Sequence, residues 1–307
     1  MLLNLSMAES KEDSVPGLAG AATCSALPAG SWDCHIHVFP DPSRFPFSDG
    51  RRYTPETVEP VDARNTLRLL GADHAVIQHA TPYGEDNASL LWSVSSLAGV
   101  AVGIAACPGI EPMSNHDPEK WALSGIAGFR VHDTAMGRQT ESILSSADAW
   151  LAGSQMHLDL HARSETVHDL IPVISGLKIP VVLDHFAGIP LEKGQVPKTL
   201  RMLMDYENIW LKLSAAYRVK GMVSDGIADS VACLMDLYPT RCLWGSDWPH
   251  TPPHPDHPGR RKTVLPFRKI DTVSEVINLS ASLTDDQKLL LFRDNPARLY
   301  SWALARG

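Results

Sequence analysis

The chain has 307 residues, 44% apolar and 20% charged, which is enough apolar material for a large core and a comfortable size for one α/β barrel. Its formal charge of -8 argues against a nucleic-acid or anionic-membrane surface, so any anionic substrate must be captured by particular arginines. No apolar run approaches the ~18 residues that span a bilayer.

The first thirty residues are rich in Ala, Ser, Gly and Pro and lack a basic start followed by a solid apolar segment. They read as a flexible tail rather than a signal peptide, with a single domain over 31–307. Cys24, Cys34, Cys107, Cys233 and Cys242 are scattered, odd in number and without a Cys-x-x-Cys pair. Reduced thiols of a cytoplasmic protein are the plain reading.

After the tail, short β-rich runs alternate with amphipathic ones. The expected strands are Trp32–Phe39, His74–His79, Val100–Ala106, Ala127–His132, His157–His161, Pro180–His185, Ile209–Ser214 and Arg241–Ser246. Several, such as IPVVLD, are nearly continuous apolar runs, as parallel strands buried on both faces require. Helices are expected at Ala63–Leu70, Asn87–Leu97, Pro118–Leu123, Glu141–Ala152, Glu165–Ser175, Thr199–Tyr206 and Asp225–Leu237, with closing helices over Thr284–Leu304. Eight strands at intervals of roughly 25–40 residues have the period of a (β/α)8 TIM barrel. A doubly wound open sheet is the alternative, but no Gly-rich phosphate loop follows any strand. The long loops Asp41–Pro60 and Pro249–Pro266 would lie over the mouth of a barrel, where catalytic loops sit.

Polar residues recur at the strand ends. Strand one carries His35 and His37, whose spacing puts both imidazoles on one face. Strand four ends in Arg130, strand five in Asp159 and His161, and strand six in Asp184-His185. Strand seven ends in Lys212 and Ser214 with Tyr217-Arg218 beyond, and strand eight in Ser246-Asp247. Each has a bland alternative: a satisfied core histidine, a strand-end Asx turn at Asp247, an arginine paired with a neighbouring carboxylate. The joint placement at strands one, six and eight points instead to chemistry at His35, His37, His185 and Asp247. Arg130, Arg218, Tyr53, Gln78, His161, His250 and Tyr217 are the candidate substrate contacts. His116, His168, His254 and His257 read as solvated, and Ser246 has no Gly-x-Ser-x-Gly turn around it.

DCHIHVF, LDHFAG, WGSDWPH and the terminal NPARLY together resemble the amidohydrolase-related group. Within it they are most similar to the 2-pyrone-4,6-dicarboxylate lactonases and sugar-lactone relatives, including the D-galactarolactone isomerases. The resemblance runs from Trp32 to the C-terminus and takes in the first loop, Arg44-Phe-Pro-Phe and Arg52-Tyr53-Thr54-Pro55. It also takes in Gln78 with Tyr83–Asn87, and a strand-seven substrate contact at Lys212–Ser214 with Tyr217-Arg218. Two positions depart from the lactonase pattern: Arg138 is offset behind a glycine, and His161 stands where the lactonases carry tyrosine.

The resemblance implies hydrolysis of a cyclic ester bearing carboxylate or sugar-like groups, with no metal required. Asp247 would be the general base, His35, His37 and His185 would stabilise the oxyanion, and Arg130 and Arg218 would hold a carboxylate. The first rival is a zinc-dependent decarboxylase or hydrolase on the same barrel, with His35, His37, His161, His185 and Asp247 as its metal site. A lactone isomerase and a non-enzymatic binding barrel are the others.

Overall fold

In the computed structural model the described residues are 26–109, 117–133, 139–222, 225–253 and 261–307. Eight parallel strands form one sheet in chain order: β1 (Trp32–Ile36), β2 (His74–Gln78), β3 (Ala101–Ala106), β4 (Ile126–His132), β5 (His157–His161), β6 (Val181–Leu183), β7 (Ile209–Ser214) and β8 (Cys242–Gly245). The sheet closes on itself: Asp247 N–H donates to the His35 carbonyl (2.8 Å) and His37 N–H to the Trp248 carbonyl (2.8 Å). Asp33 Oδ1 reinforces the seam by accepting from Ser246 N–H at 2.8 Å. The architecture is the (β/α)8 barrel.

The apolar runs divide as a barrel demands. Ile77, Phe129, Val131, Leu158, Leu160, Leu183 and Leu211 pack in the layer shared with the surrounding helices. Cys34, Val76, Val102, Ile104, Val182 and Leu243 form a separate inner cluster with Leu299 and Tyr300 of the last helix, Asn295–Leu304. That helix is pinned by Asn295, fully buried, whose amide donates to the carbonyls of Pro239 and Cys242. This accounts for the NPARLY motif.

Seven helices fall where the sequence places them: α1 (Pro60–Leu70), α2 (Ala88–Ser96), α3 (Pro118–Ala122), α4 (Thr140–Leu151), α5 (Ser164–Ile174), α6 (Lys198–Met204) and α7 (Ile227–Leu237). Helix α1 starts three residues before its sequence-based boundary. Glu59 and Asp62 form a capping box, and Pro60 occupies the first turn, where its missing N–H costs nothing. The sequence reading omits α8 (Thr272–Leu279), capped by Asp271, whose carboxylate accepts from Val273 and Ser274 N–H.

The two long loops join over the mouth. Thr54–Pro55 and Val264–Leu265 form a short parallel ladder, the Thr54 hydroxyl donates to the Arg261 carbonyl (2.7 Å), and Phe267 N–H donates to Glu56 (3.1 Å). Phe39 stacks between Tyr83 and Phe267 beneath them. Among the described residues no helix is long and apolar enough to cross a membrane. Cys24, His116, Arg138, His254, His257 and most of the expected tail lie outside the described residues.

Candidate active site

Strand β1 carries one extra residue between Asp33 and Ile36 relative to β2, a bulge of the kind that re-aims side chains beside functional sites. Across the seam, Gly245 makes room for it, since a Cβ there would lie 2.5 Å from His35 Cβ. His35 and His37 thereby meet with their Nε2 atoms 3.3 Å apart. Asp247 Oδ1 lies 3.6 Å from His35 Nε2, 3.7 Å from His37 Nε2 and 4.0 Å from His185 Nε2. The four residues from strands one, six and eight converge at the C-terminal end of the barrel.

The backbone at this end is left-handed at several non-glycine positions: φ is +51° at His185, +64° at Asp247 and +66° at His250. Asp and His are among the residue types that best tolerate this region. Such conformations cost free energy and persist where the surroundings enforce them.

Hydrogen bonds define what each ring offers. His37 Nδ1 lies 3.0 Å from the Gln78 carbonyl, which can only accept, so Nδ1 carries the proton. Burial pushes the His37 pKa down, and the neutral ring then presents a bare Nε2 to the centre. His185 Nδ1 meets the Ser214 hydroxyl at 2.8 Å. Burial also lowers His185, to about 4, and holds His35 well below its usual value. Burial alone would raise the Asp247 carboxyl, but the Arg218 guanidinium holds it well below the carboxylate range.

Asp247 is ringed by donors. Arg218 Nε lies 2.6 Å and the Tyr217 hydroxyl 2.5 Å from its Oδ2. Beneath the site lies a buried ion network that the sequence reading left as strand-end polar residues. Lys212 Nζ donates to Asp159 (2.6 Å) and to Asp184 (2.9 Å), and Arg130 forks onto Asp184 through Nε and Nη2. Lys212, Asp159 and Asp184 are almost wholly shielded from solvent. Two cations offset two carboxylates. The mutual attraction of Lys212 with Asp159 and Asp184 outweighs burial, raising the lysine and lowering both acids. The signal was present in the sequence: Asp159 and Lys212 interrupt apolar runs on inward-facing positions, and buried charges must pair.

A cavity of about 650 Å³ opens above the centre, and His37, His185 and Asp247 form part of its wall. Of the expected substrate contacts, Tyr53, Arg130, His161 and Arg218 line it. Three are placed otherwise. Gln78 points inward, its amide donating to Asp159 (2.7 Å), while Tyr217 and His250 are bonded to each other and directed at Asp247. Lys212 and Ser214 do not line the cavity either: the first is locked in the core network and the second is bonded to His185. His132, stacked on His161 with centroids 4.4 Å apart, joins the cavity wall unannounced by the sequence.

The donor set fits a divalent cation. His35, His37 and Asp247 place one ligand atom each within 4.8 Å of one another, and so do His35, Asp184 and His185. The first group suits an ion better, because Asp184 is already claimed by Lys212 and Arg130. The His37 contact with the Gln78 carbonyl is the outer hydrogen bond that orients a ligating imidazole. His161 belongs to neither group; its Nδ1 faces Asp184 at 3.9 Å.

With the site in view, the relatives speak to its ancestry. A 4-sulfomuconolactone hydrolase of Rhizobium radiobacter is 28% identical over 298 residues, covering 93% of this chain and 94% of its own. A 2-pyrone-4,6-dicarboxylate hydrolase of Comamonas testosteroni is 26% identical over 290 residues, covering 89% and 91%. A ligand-free crystal structure from Agrobacterium tumefaciens shares the fold with a TM-score of 0.71 at 21% identity, over 90% of this chain and 97% of that one. The profile described as amidohydrolase matches residues 32–302, and the chain therefore belongs to the amidohydrolase family, as an enzyme similar to its lactone hydrolases.

Proposed function

We propose that this enzyme hydrolyses a lactone carrying carboxylate or other anionic groups, with Asp247 as general base. The observation that carries the reading is the arrangement at the cavity floor, where the ionised Asp247 turns Oδ1 toward three neutral imidazoles. Asp247 Oδ1 takes a proton from water as its oxygen attacks the lactone carbonyl. The ring C–O bond then breaks, and the proton passes to the departing oxygen. The cavity wall carries Arg52, Arg130, Arg163, Arg218 and Lys220 against Glu165 and Asp247, a cationic excess within an acidic chain.

Arg130 and Arg218 keep capacity for a substrate. The contacts to Asp184 and His79, and to Asp247 and Thr251, occupy three of the five N–H donors that each guanidinium carries. His161 and Tyr53 would contact the substrate from the wall. The test is a panel of carboxylated pyrones and of aldaric and aldonic lactones, run in 18O-labelled water. Hydrolysis of the anionic members puts one labelled oxygen into the product, whereas isomerisation incorporates none and would replace this reading. Cys34, Cys107, Cys233 and Cys242 are free thiols, which supports a reducing, cytoplasmic setting.

A metal-assisted form of the same hydrolysis is favoured by one observation. The expectation of a metal-free oxyanion site needs three imidazole donors, yet neutral His37 offers a lone pair to the centre. His35, His37, His185 and Asp247 would hold Zn²⁺, which when bound polarises a carbonyl and acidifies water. Exhaustive chelation, with residual metal quantified, is expected to abolish turnover and added Zn²⁺ to restore it in proportion. Unchanged turnover at well below one metal per chain would return the oxyanion role to the imidazoles alone.

A further inference from the structure

Tyr217 and His250 do not line the substrate cavity, yet both are drawn into a chain of hydrogen bonds that ends on Asp247. The Tyr217 hydroxyl lies 2.5 Å from Asp247 Oδ2 and 3.1 Å from His250 Nδ1, and His250 Nε2 lies 2.8 Å from the Thr272 hydroxyl. Thr272 opens α8 and lines a second cavity of about 410 Å³ on the far side of the β7 and β8 ends. Among the described residues Asp225 and Glu275 also line that cavity, and neither is hydrogen-bonded to Thr272, His250 or Tyr217, so the chain ends at Asp247.

The direction of every bond follows from one fact. Asp247 is salt-bridged to Arg218 at 2.6 Å, so its carboxylate only accepts. Tyr217 must therefore spend its one O–H on Oδ2, and the contact with His250 can exist only if Nδ1–H donates to the phenolic oxygen. His250 is buried, and with its ring proton given to Tyr217 from Nδ1 the neutral imidazole leaves Nε2 bare, so the Thr272 hydroxyl donates to it. The donors point one way, from α8 to the carboxylate. Without Thr272 the bare Nε2 loses its donor, and nothing holds the imidazole at its outer end. The ring is then free to tilt, slackening the Nδ1–H contact that keeps Tyr217 on Asp247.

We propose that Thr272 and His250 are positioning residues which, acting through Tyr217, hold Asp247 Oδ2 and reserve Oδ1 for the proton taken from water. The inference rests on the reading of Asp247 as general base. It adds two residues to the reaction, neither of which touches substrate.

The test combines a spectroscopic and a kinetic readout. In 15N-histidine-labelled protein, the His250 resonances are identified as those missing from His250→Asn, and the Nδ1–H form is expected. In Thr272→Val the Nε2 resonance is expected to move downfield as its hydrogen bond is lost. Turnover of the best anionic lactone should fall about three- to tenfold with KM held, the scale of one hydrogen bond lost, and Thr272→Ser should restore both. His250→Asn is the second variant. Its amide nitrogen can replace the Nδ1–H donor, and asparagine tolerates the left-handed backbone, so it should lose less turnover than Thr272→Val. An Nε2–H ring in the unmutated protein, or a loss of turnover in Thr272→Val with the Nε2 resonance unmoved, would overturn the proposal. The tautomer is measured without substrate, so a failure of the lactone assignment would leave this result standing and be seen separately.

Discussion

Asp247→Asn is expected to lower kcat by at least about 100-fold while leaving the fold intact, the usual range for loss of a general base. The amide can replace the carboxylate in shape, and asparagine accepts the left-handed backbone at φ +64°. It can still accept at one oxygen from Arg218 and Tyr217, and its NH2 would then face the bare His37 Nε2. What it cannot do is take a proton. KM should therefore move little, because the arginines and the cavity wall are untouched. Steady-state kinetics with a circular-dichroism control decide the matter, and near-normal turnover in a folded variant would remove Asp247 from the mechanism.

Lys212→Met is expected to act on stability first. Methionine has a similar length, but it leaves Asp159 and Asp184 facing each other's field in the barrel interior, with Arg130 on Asp184 and only the His157 imidazole and the Gln78 amide on Asp159. Breaking a buried ion network by removing one partner typically costs about 3–5 kcal/mol. Denaturant unfolding at pH 7 should show a loss of that order, and a cost below about 1 kcal/mol would mean that the network is solvated. The pH dependence has a definite sign. Asp159 and Asp184 are depressed by Lys212, so their stabilisation is present above the ordinary carboxylate range and is lost as pH falls through their lowered values. In Lys212→Met that acid sensitivity should shrink or reverse, because the two carboxylates then resist ionisation.

The barrel was legible because its strands announce themselves. IPVVLD and GVAVGIAA are apolar on both faces, and only a covered parallel sheet uses such runs. The meeting of His35, His37, His185 and Asp247 was legible for a related reason, as strand ends on one barrel must converge. Pairing was not. Lys212 lies 53 residues from Asp159 and 28 from Asp184, and nothing local says that an inward lysine will find them rather than a substrate. Tyr217 and His250 follow strands seven and eight among the candidate substrate contacts, yet neither lines the cavity. Their aim is set by left-handed turns at Ala215 and His250, residue types that do not by themselves demand φ > 0. The β1 bulge escaped notice too, because an extra residue in a strand leaves no compositional trace.

The ladder between Thr54–Pro55 and Val264–Leu265 makes the roof of the cavity a shared inheritance of two distant stretches of chain. The Thr54 hydroxyl answers the Arg261 carbonyl across 207 residues, and Phe267 N–H answers Glu56 across 211. Neither stretch is a module that can be exchanged alone. A first loop transplanted from a relative would arrive without its counterpart, stranding polar groups and unseating the Phe39–Phe267 stack. Diversification of substrate range on this barrel must therefore proceed by matched changes in both loops, and a chimera whose crossover falls between residues 60 and 260 inherits half a lid from each parent.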